Sequence, residues 1–221
     1  MLNKVKGNMY SFVTHTWNTI KGRCPHGCHY CYMKRFGDQP PHRFDEKELK
    51  TDLGTGNFIF LGSSCDMWAD AIEADHILMT LNHCKKFDNQ YLFQSKNPTG
   101  IILFANELPR RSTIATTMES NRFHPEMGFA PAIVRRAAGL SVLRHRRFRT
   151  MVTVEPVMAF DPLLFAEIIL SAHPEQVNIG ANTNTKCRLN EPTKEDVLEL
   201  IGLLEDKTTV HPKPNLKRII G

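Results

Sequence analysis

The sequence predicts an α/β protein with a parallel β-sheet and helical crossovers. Six short apolar or β-branched runs alternate with longer helical stretches, and polar or Gly/Pro residues follow each run. No repeat, low-complexity tract or Ser/Gly linker interrupts this alternation, so we expect a single domain over residues 1–221. An alternation of this kind fits both an open doubly wound sheet and a barrel.

The individual elements follow from the same pattern. The predicted strands span residues 11–16, 57–61, 90–94, 112–117, 150–154 and 176–179, and the predicted helices span 70–86, 99–106, 130–145, 162–173 and 193–205. The last helix has a start signal, because Thr193 can cap it and Asp196 is a weaker stand-in for the usual Glu or Gln of a capping box. Ligands of such folds gather at the carboxyl ends of the strands, so residues directly after each strand are site candidates.

Composition excludes several classes of protein. The 221 residues are 41% hydrophobic and 23% charged, which disfavours a disordered chain. No apolar run approaches the roughly 18–20 residues that span a bilayer, and the first residues lack an apolar signal core. We therefore expect a cytoplasmic protein with no membrane partner. Six cysteines are too few for a disulfide scaffold, and a net charge of +5 permits an anionic partner without requiring one.

Three of the cysteines form a candidate metal site. Cys24, Cys28 and Cys31 are spaced Cys-x3-Cys-x2-Cys after the first predicted strand. Pro25 and Gly27 disfavour a regular helix, so the loop can fold back and point three sulfurs at one centre. Three thiolates suit an iron–sulfur cluster or zinc. A four-iron cluster on three cysteines leaves one iron without a protein ligand, and such an open position is where chemistry takes place.

Zinc is the alternative occupant of this loop. It would use the same cysteines together with His26 or His29. Structural zinc usually takes two ligand pairs, and the sequence has no second pair. The pattern favours a [4Fe–4S] cluster, and a non-catalytic, zinc-stabilised nucleic-acid-binding module remains as an alternative.

The cysteine spacing, with the aromatic Tyr30 before the last cysteine, resembles the signature of the radical S-adenosylmethionine (SAM) superfamily. The resemblance implies a partial (β/α)6 TIM-like barrel. It also implies a [4Fe–4S] cluster on the three cysteines, whose open iron chelates the amino and carboxylate groups of SAM. Reductive cleavage of SAM then gives a 5′-deoxyadenosyl radical. A flavodoxin- or ferredoxin-type reductant, and a position for Tyr30 beside the adenine of SAM, are implied as well.

Segments after the predicted strands resemble a compact subgroup, found in phage and bacterial genomes, that is related to spore photoproduct lyase. These segments are THTWN at 14–18, FLGSSCD at 60–66, QSK at 94–96, TMESN at 117–121 and VEP at 154–156. The superfamily's usual Gly-Gly-Glu is replaced by Gly62-Ser63-Ser64. We assign Ser63 and Ser64 to the methionine end of SAM, because hydroxyls bind both carboxylate and ammonium groups; the alternative is a polar turn.

Further polar residues are candidate ligands of SAM. Glu119, Ser120 and Asn121 can bind ribose hydroxyls or the amino group of SAM, and the alternative is a helix cap formed by Ser120 or Asn121. Lys96 can meet a carboxylate or a substrate phosphate, or else lie in solvent. Asn182 can bind the adenine edge, although Asn also favours turns.

Cys65 is the candidate catalytic residue. In the similar stretch of spore photoproduct lyase a cysteine returns a hydrogen atom to the product radical, and a thiol suits this role because its S–H bond is weaker than a C–H bond. The alternative is an inert buried thiol, as we expect for Cys84 and Cys187. Glu155 ends the fifth predicted strand, where it either binds substrate or pairs with Lys96.

Six arginines between residues 135 and 149 bear on the substrate. They are Arg135, Arg136, Arg144, Arg146, Arg147 and Arg149. A solvated helix face is the commoner meaning of such a run, and a phosphate-binding patch is the functional one. We predict a radical SAM enzyme acting on nucleic acid or a nucleotide, in repair or modification like that of photoproduct lyase. Action on a small molecule or peptide is the alternative, and the sequence does not choose between lyase and transferase chemistry.

Overall fold

The computed structural model of the chain describes residues 1–5, 7–184 and 186–221. The strands in these ranges are β1 (Asn3–Lys4), β2 (His15–Trp17), β3 (Ile20–Lys21), β4 (Arg43–Phe44), β5 (Phe58–Leu61), β6 (Gln90–Ser95), β7 (Ser112–Thr117), β8 (Arg149–Val154), β9 (Gln176–Ile179) and β10 (Thr209–Pro212). The α-helices are α1 (Ala74–Cys84), α2 (Pro98–Ile102), α3 (Ile133–His145), α4 (Pro162–Ser171), α5 (Lys194–Glu205) and α6 (Lys217–Ile220).

The main sheet has the order β1-β2-β5-β6-β7-β8-β9-β10. All neighbours from β2 onward are parallel, and β1 is an antiparallel edge. Strand order follows chain order, so every crossover moves the chain in the same direction and there is no reversal of the doubly wound kind. The sheet therefore winds as a barrel that stays open between β1 and β10, which confirms the predicted partial barrel.

The sequence placed most of these elements well and missed some. Strands β7 and β9 have the predicted bounds, and the Thr193–Asp196 capping box at α5 is present with both hydrogen bonds. The first predicted strand, 11–16, is wrong in its first half, because the chain turns between Tyr10 and Val13 instead of pairing. The pattern missed β10, whose residues lie on an exposed edge and include Pro212.

Two apolar layers support the partial barrel. The larger one lies where the helices cover the sheet, and Phe93, Val152 and Leu140 are fully buried in it. A second cluster joins alternate strand residues such as Leu92 and Ala115 to Tyr10 and Val13 of the N-terminal segment. The apolar pattern at 11–16 thus reflects packing of this segment. None of the described helices is both long and apolar enough to span a bilayer.

Candidate functional site

A cavity of about 750 Å³ lies at the carboxyl ends of the parallel strands. Successive strands each contribute residues to its wall: Gly62, Ser63, Ser64 and Cys65 after β5, Ser95 and Lys96 at the end of β6, Thr117 on β7, Glu155 after β8, Asn182 after β9 and Lys213 after β10. The parallel register brings these residues together although they are far apart in sequence, as the sequence predicted.

The loop that carries Cys24, Cys28 and Cys31 forms another wall of this cavity, and all three cysteines line it. The loop is docked on residues 126–129: the backbone N–H of Phe129 donates to the carbonyl of His26 at 2.7 Å, and that of His29 donates to Glu126 at 2.8 Å. Gly128 has a φ of 65°, and a Cβ there would lie 2.3 Å from the oxygen of His26. The fold of the cysteine loop therefore requires glycine at this position.

The donor set fits an iron–sulfur cluster. No three His, Cys, Asp or Glu side chains in the described part of the chain lie close enough together to share one metal ion. A four-iron cluster has a different requirement, because each cysteine binds its own iron and the sulfurs stand around a cluster-sized space. Three cysteines around one cavity, on a loop held by backbone hydrogen bonds, meet that requirement.

Cys65 lies beside Cys24 in this cavity. The neighbouring thiol of Cys65 lowers the pKa of Cys24 despite its burial, and the same proximity raises the pKa of Cys65. Burial raises the pKa of Cys28 and of Cys31. A coordinating metal removes the proton from a thiol outright, so the raised values do not oppose ligation.

Asp66 anchors the cysteine loop to the sheet. Its Oδ2 lies 2.8 Å from Nε2 of His26 and accepts hydrogen bonds from Ser95 Oγ and the backbone N–H of Lys96, each at 2.9 Å. Burial disfavours charge on both members of the pair, yet their hydrogen bond raises the pKa of His26 and lowers that of Asp66. Sequence reasoning considered His26 only as a zinc ligand. In the sequence, the place of Asp66 directly after Cys65, in the segment that follows β5, was the available indication that this carboxylate holds the cysteine loop.

Ser63 and Ser64 line the cavity and are held by Asn18. The Oγ of Ser63 lies 3.2 Å from Nδ2 of Asn18, and the backbone N–H of Ser64 donates to Oδ1 of Asn18 at 3.2 Å. The two serines therefore form an ordered turn that also faces the cavity. The polar turn and the position facing a ligand, which were alternatives in the sequence, occur together.

Glu119 lies behind the cavity wall instead of lining it. Its side chain is 0% exposed, and it accepts from Lys96 Nζ at 2.5 Å, from Arg136 Nη1 at 2.8 Å and from the hydroxyl of Tyr30. Burial would raise the pKa of Glu119, but Lys96 and Arg136 lower it to about 2. Glu119 therefore positions its neighbours. The sequence predicted direct contact between Glu119 and SAM, but both carboxylate oxygens already accept hydrogen bonds from these neighbours.

Lys96 and Tyr30, in contrast, both line the cavity. The ammonium of Lys96 lies 5.2 Å from the centre of the Tyr30 ring. Tyr30 is buried, and burial raises the pKa of its hydroxyl well above the usual value, so the hydroxyl is a neutral donor to Glu119. Lys96, Tyr30 and Glu119 thus form one fixed unit beside the cysteine loop.

Ser120 and Asn182 have local structural roles. The buried Ser120 Oγ donates to the carbonyl of Ala159 at 2.6 Å and accepts from the backbone N–H of Arg122. Ser120 does not line the cavity, so it is not placed to contact SAM as the sequence predicted. Asn182 does line it, but its amide donates to the carbonyls of Asn184 and Cys187.

Glu155 closes the side of the cavity away from the cysteines. Its Oε2 accepts from Lys213 Nζ at 2.6 Å, and its Oε1 accepts from the amide of Asn8 at 2.8 Å. The predicted pairing of Glu155 with Lys96 is therefore wrong, because Lys96 forms its ion pair with Glu119. Lys213 also donates to the carbonyl of Asn8, so the N-terminal segment is joined to β10 across the opening of the barrel.

The arginine run is not part of this site. Arg136 is 1% exposed and pairs with Glu119, so it belongs to the protein interior. Arg144 and Arg149 both pair with Glu175. The end of α3 and the start of β8 lie at the amino ends of the strands, opposite the cavity. The run therefore contributes no residue to the cavity, and a phosphate-binding patch formed by its exposed arginines stays a prediction.

The sheet winds as a partial barrel, and the three cysteines line the cavity at the carboxyl ends of its strands. No protein-family model and no curated protein sequence matches the chain. Solved structures of spore photoproduct lyase share its fold. A cysteine-to-serine variant of that enzyme superposes with a TM-score of 0.66 at 10% sequence identity, over 95% of this chain and 79% of the other.

Two further structures extend the likeness. A cysteine-to-alanine variant gives a TM-score of 0.67 at 11% identity, over 93% of this chain and 78% of the other. A double variant with bound SAM and dinucleoside spore photoproduct gives 0.63 at 10% identity, and the chain spans 64% of its length. At such low identity the likeness concerns the fold, which is the partial barrel that the sequence resemblance implied.

Proposed function

We propose that the chain is a radical SAM enzyme with a nucleic acid or nucleotide as substrate. The observation that carries the proposal is the placement of Cys24, Cys28 and Cys31 around one cavity at the carboxyl ends of the strands. The similar enzyme fold, solved with SAM and with dinucleoside spore photoproduct, supports the choice of cofactor and of substrate class.

In this proposal the three cysteines would hold a [4Fe–4S] cluster with one iron free of protein ligands. A cluster bound there and reduced by a flavodoxin- or ferredoxin-type protein would supply the electron for reductive cleavage of SAM to a 5′-deoxyadenosyl radical. Ser63 and Ser64 offer hydroxyls to the methionine end of SAM. Lys96, fixed by Glu119, brings positive charge to the cavity beside the cysteine loop.

Cys65 is proposed as the hydrogen donor. It is buried beside Cys24 and lines the cavity that would hold SAM and substrate. Transfer of its hydrogen atom to a substrate carbon radical breaks the S–H bond and forms a C–H bond. The remaining thiyl radical returns to the thiol by taking up an electron from the external reductant and a proton. With Cys65→Ala we expect SAM cleavage to persist while products of the unquenched substrate radical accumulate. An unchanged product distribution would remove this role.

The proposal is tested on anaerobically reconstituted protein. Iron and sulfide are counted, dithionite and SAM are added, and 5′-deoxyadenosine is measured. We expect about four irons per chain and formation of deoxyadenosine. Cys28→Ala should lose both, whereas Cys84→Ala, which removes a buried thiol outside the cavity, should keep both. Bound zinc without SAM cleavage would refute the enzyme and indicate the metal-stabilised binding module.

A further inference from the structure

The mouth of the cavity carries a short 3₁₀ helix, Tyr32–Phe36, none of whose residues is buried. Tyr32 is exposed and lines the cavity, and Phe36 is 60% exposed between Arg35 and Gly37, which both line it. The helix is nevertheless fixed, because Cys31 of the cysteine loop precedes it and the hydroxyl of Tyr32 donates to the carbonyl of Ser63 at 2.8 Å. A fixed element that exposes aromatic rings beside a cavity is typical of a binding surface.

Arg35 extends this aromatic surface. Its guanidinium lies 4.8 Å from the centre of the Phe36 ring and 5.5 Å from that of Tyr32. Guanidinium and aromatic faces are both platforms on which unpaired nucleobases stack, and such stacking tolerates any base. We call Tyr32, Arg35 and Phe36 the stacking surface.

Positive charge surrounds the stacking surface. Arg23 and Lys34 line the cavity on the cysteine side together with Arg35, and Lys4 lines it from the N-terminal segment. These four cations are exposed, and none has an ion-pair partner among the residues that the structure describes. Lys96 and Lys213, deeper in the cavity, are neutralised by Glu119 and Glu155. The four unpaired cations therefore lie at the mouth, where they outnumber the neighbouring acidic residue Asp38 and where a polyanion would pass.

We propose that this mouth docks an unpaired strand of nucleic acid. Its phosphates contact Arg23, Lys34, Arg35 and Lys4, and one base stacks on Phe36 and Arg35. The neighbouring nucleotide is thereby directed into the cavity. The inference deepens the proposed function and rests on it for the meaning of the cavity, but the docking itself requires no chemistry. A single strand is favoured over a duplex because stacking on an exposed ring needs a base free of its partner.

The test uses the reconstituted holoprotein and a short fluorescein-labelled oligothymidylate, with binding followed by fluorescence anisotropy over a range of salt concentrations. Phe36→Ala should weaken binding by about tenfold or more, since loss of one stacked base is that large. Its matched control is Leu103→Ala, which removes an apolar side chain that is 81% exposed and lies directly after α2, outside the helix Tyr32–Phe36. The control should bind as the wild type does.

The charged half of the surface has its own pair of variants. Arg35→Gln should weaken binding and reduce the slope of log Kd against log salt by about 0.7, the value for one phosphate contact in a single strand. Arg110→Gln is the control, because Arg110 is exposed just before β7, at the opposite end of the sheet. Equal effects of the two substitutions would show that binding is non-specific and overturn the proposal.

Other outcomes are equally decisive. Tighter binding of a matching duplex, unchanged affinity in Phe36→Ala, or no binding of the oligonucleotide would each refute the docking surface. SAM cleavage by the wild type without any oligonucleotide is measured separately. Failure of that reaction with intact docking refutes the proposed function alone, and cleavage without docking refutes the inference alone.

Discussion

The buried carboxylate of Glu119 gives the sharpest prediction about stability. Glu119→Gln keeps the shape of the side chain and removes its charge, which leaves the interior guanidinium of Arg136 without a counter-charge. Removing one partner of a buried pair destabilises a protein by about 3–5 kcal/mol. The pKa gives a similar magnitude: a fall from the usual 4.5 to about 2 corresponds to ~3 kcal/mol of stabilisation at neutral pH.

Urea unfolding followed by far-UV circular dichroism measures this effect. We expect Glu119→Gln to lose about 3–5 kcal/mol of unfolding free energy. The control is Glu107→Gln, which breaks the exposed 2.6 Å pair with Lys85. Such a surface pair contributes less than about 1 kcal/mol. A loss of under about 1 kcal/mol in Glu119→Gln would refute the view that this buried unit stabilises the wall of the site.

Further predictions concern the cysteine loop and acid stability. Gly128→Ala places a Cβ 2.3 Å from the His26 oxygen at a φ of 65°, so we expect reduced iron retention and a loss of more than about 1 kcal/mol in urea unfolding. Gly202→Ala, with open space around its Cβ in α5, should instead be neutral or stabilising; equal losses in both variants would contradict this account. Glu119 has a lowered pKa, so its contribution is complete above about pH 4.5 and is lost as the pH falls towards about 2. Unfolding of the metal-free protein between these pH values should therefore depend less steeply on pH in Glu119→Gln than in the wild type, and parallel curves would count against the assignment.

The sequence revealed the parts of the fold that depend on local pattern. Alternating apolar strands and helices predicted the parallel sheet, and β7 and β9 have their predicted bounds because nearly all of their residues are buried. The turn between Tyr10 and Val13 was not predictable in this way. Its apolar residues pack inside the barrel, and an apolar pattern alone does not distinguish such packing from strand pairing.

The candidate site shows a similar division. The cysteine spacing and the segments after the strands placed Cys24, Cys28, Cys31 and Cys65 at one cavity, because parallel strands present their carboxyl ends on the same side. The sequence did not predict which charged residues, distant along the chain, form ion pairs with one another. Lys96 pairs with Glu119, while Glu155 pairs with Lys213, and only the three-dimensional arrangement decides which of several nearby cations neutralises a carboxylate.

The most direct test of the central claim is the electron paramagnetic resonance spectrum of the reduced, reconstituted protein before and after addition of SAM. The account predicts the signal of a reduced [4Fe–4S] cluster whose shape changes when SAM is added, since in the proposed site SAM would bind the iron that the three cysteines leave open. A cluster signal that SAM does not alter, or the absence of any cluster signal, would contradict the account.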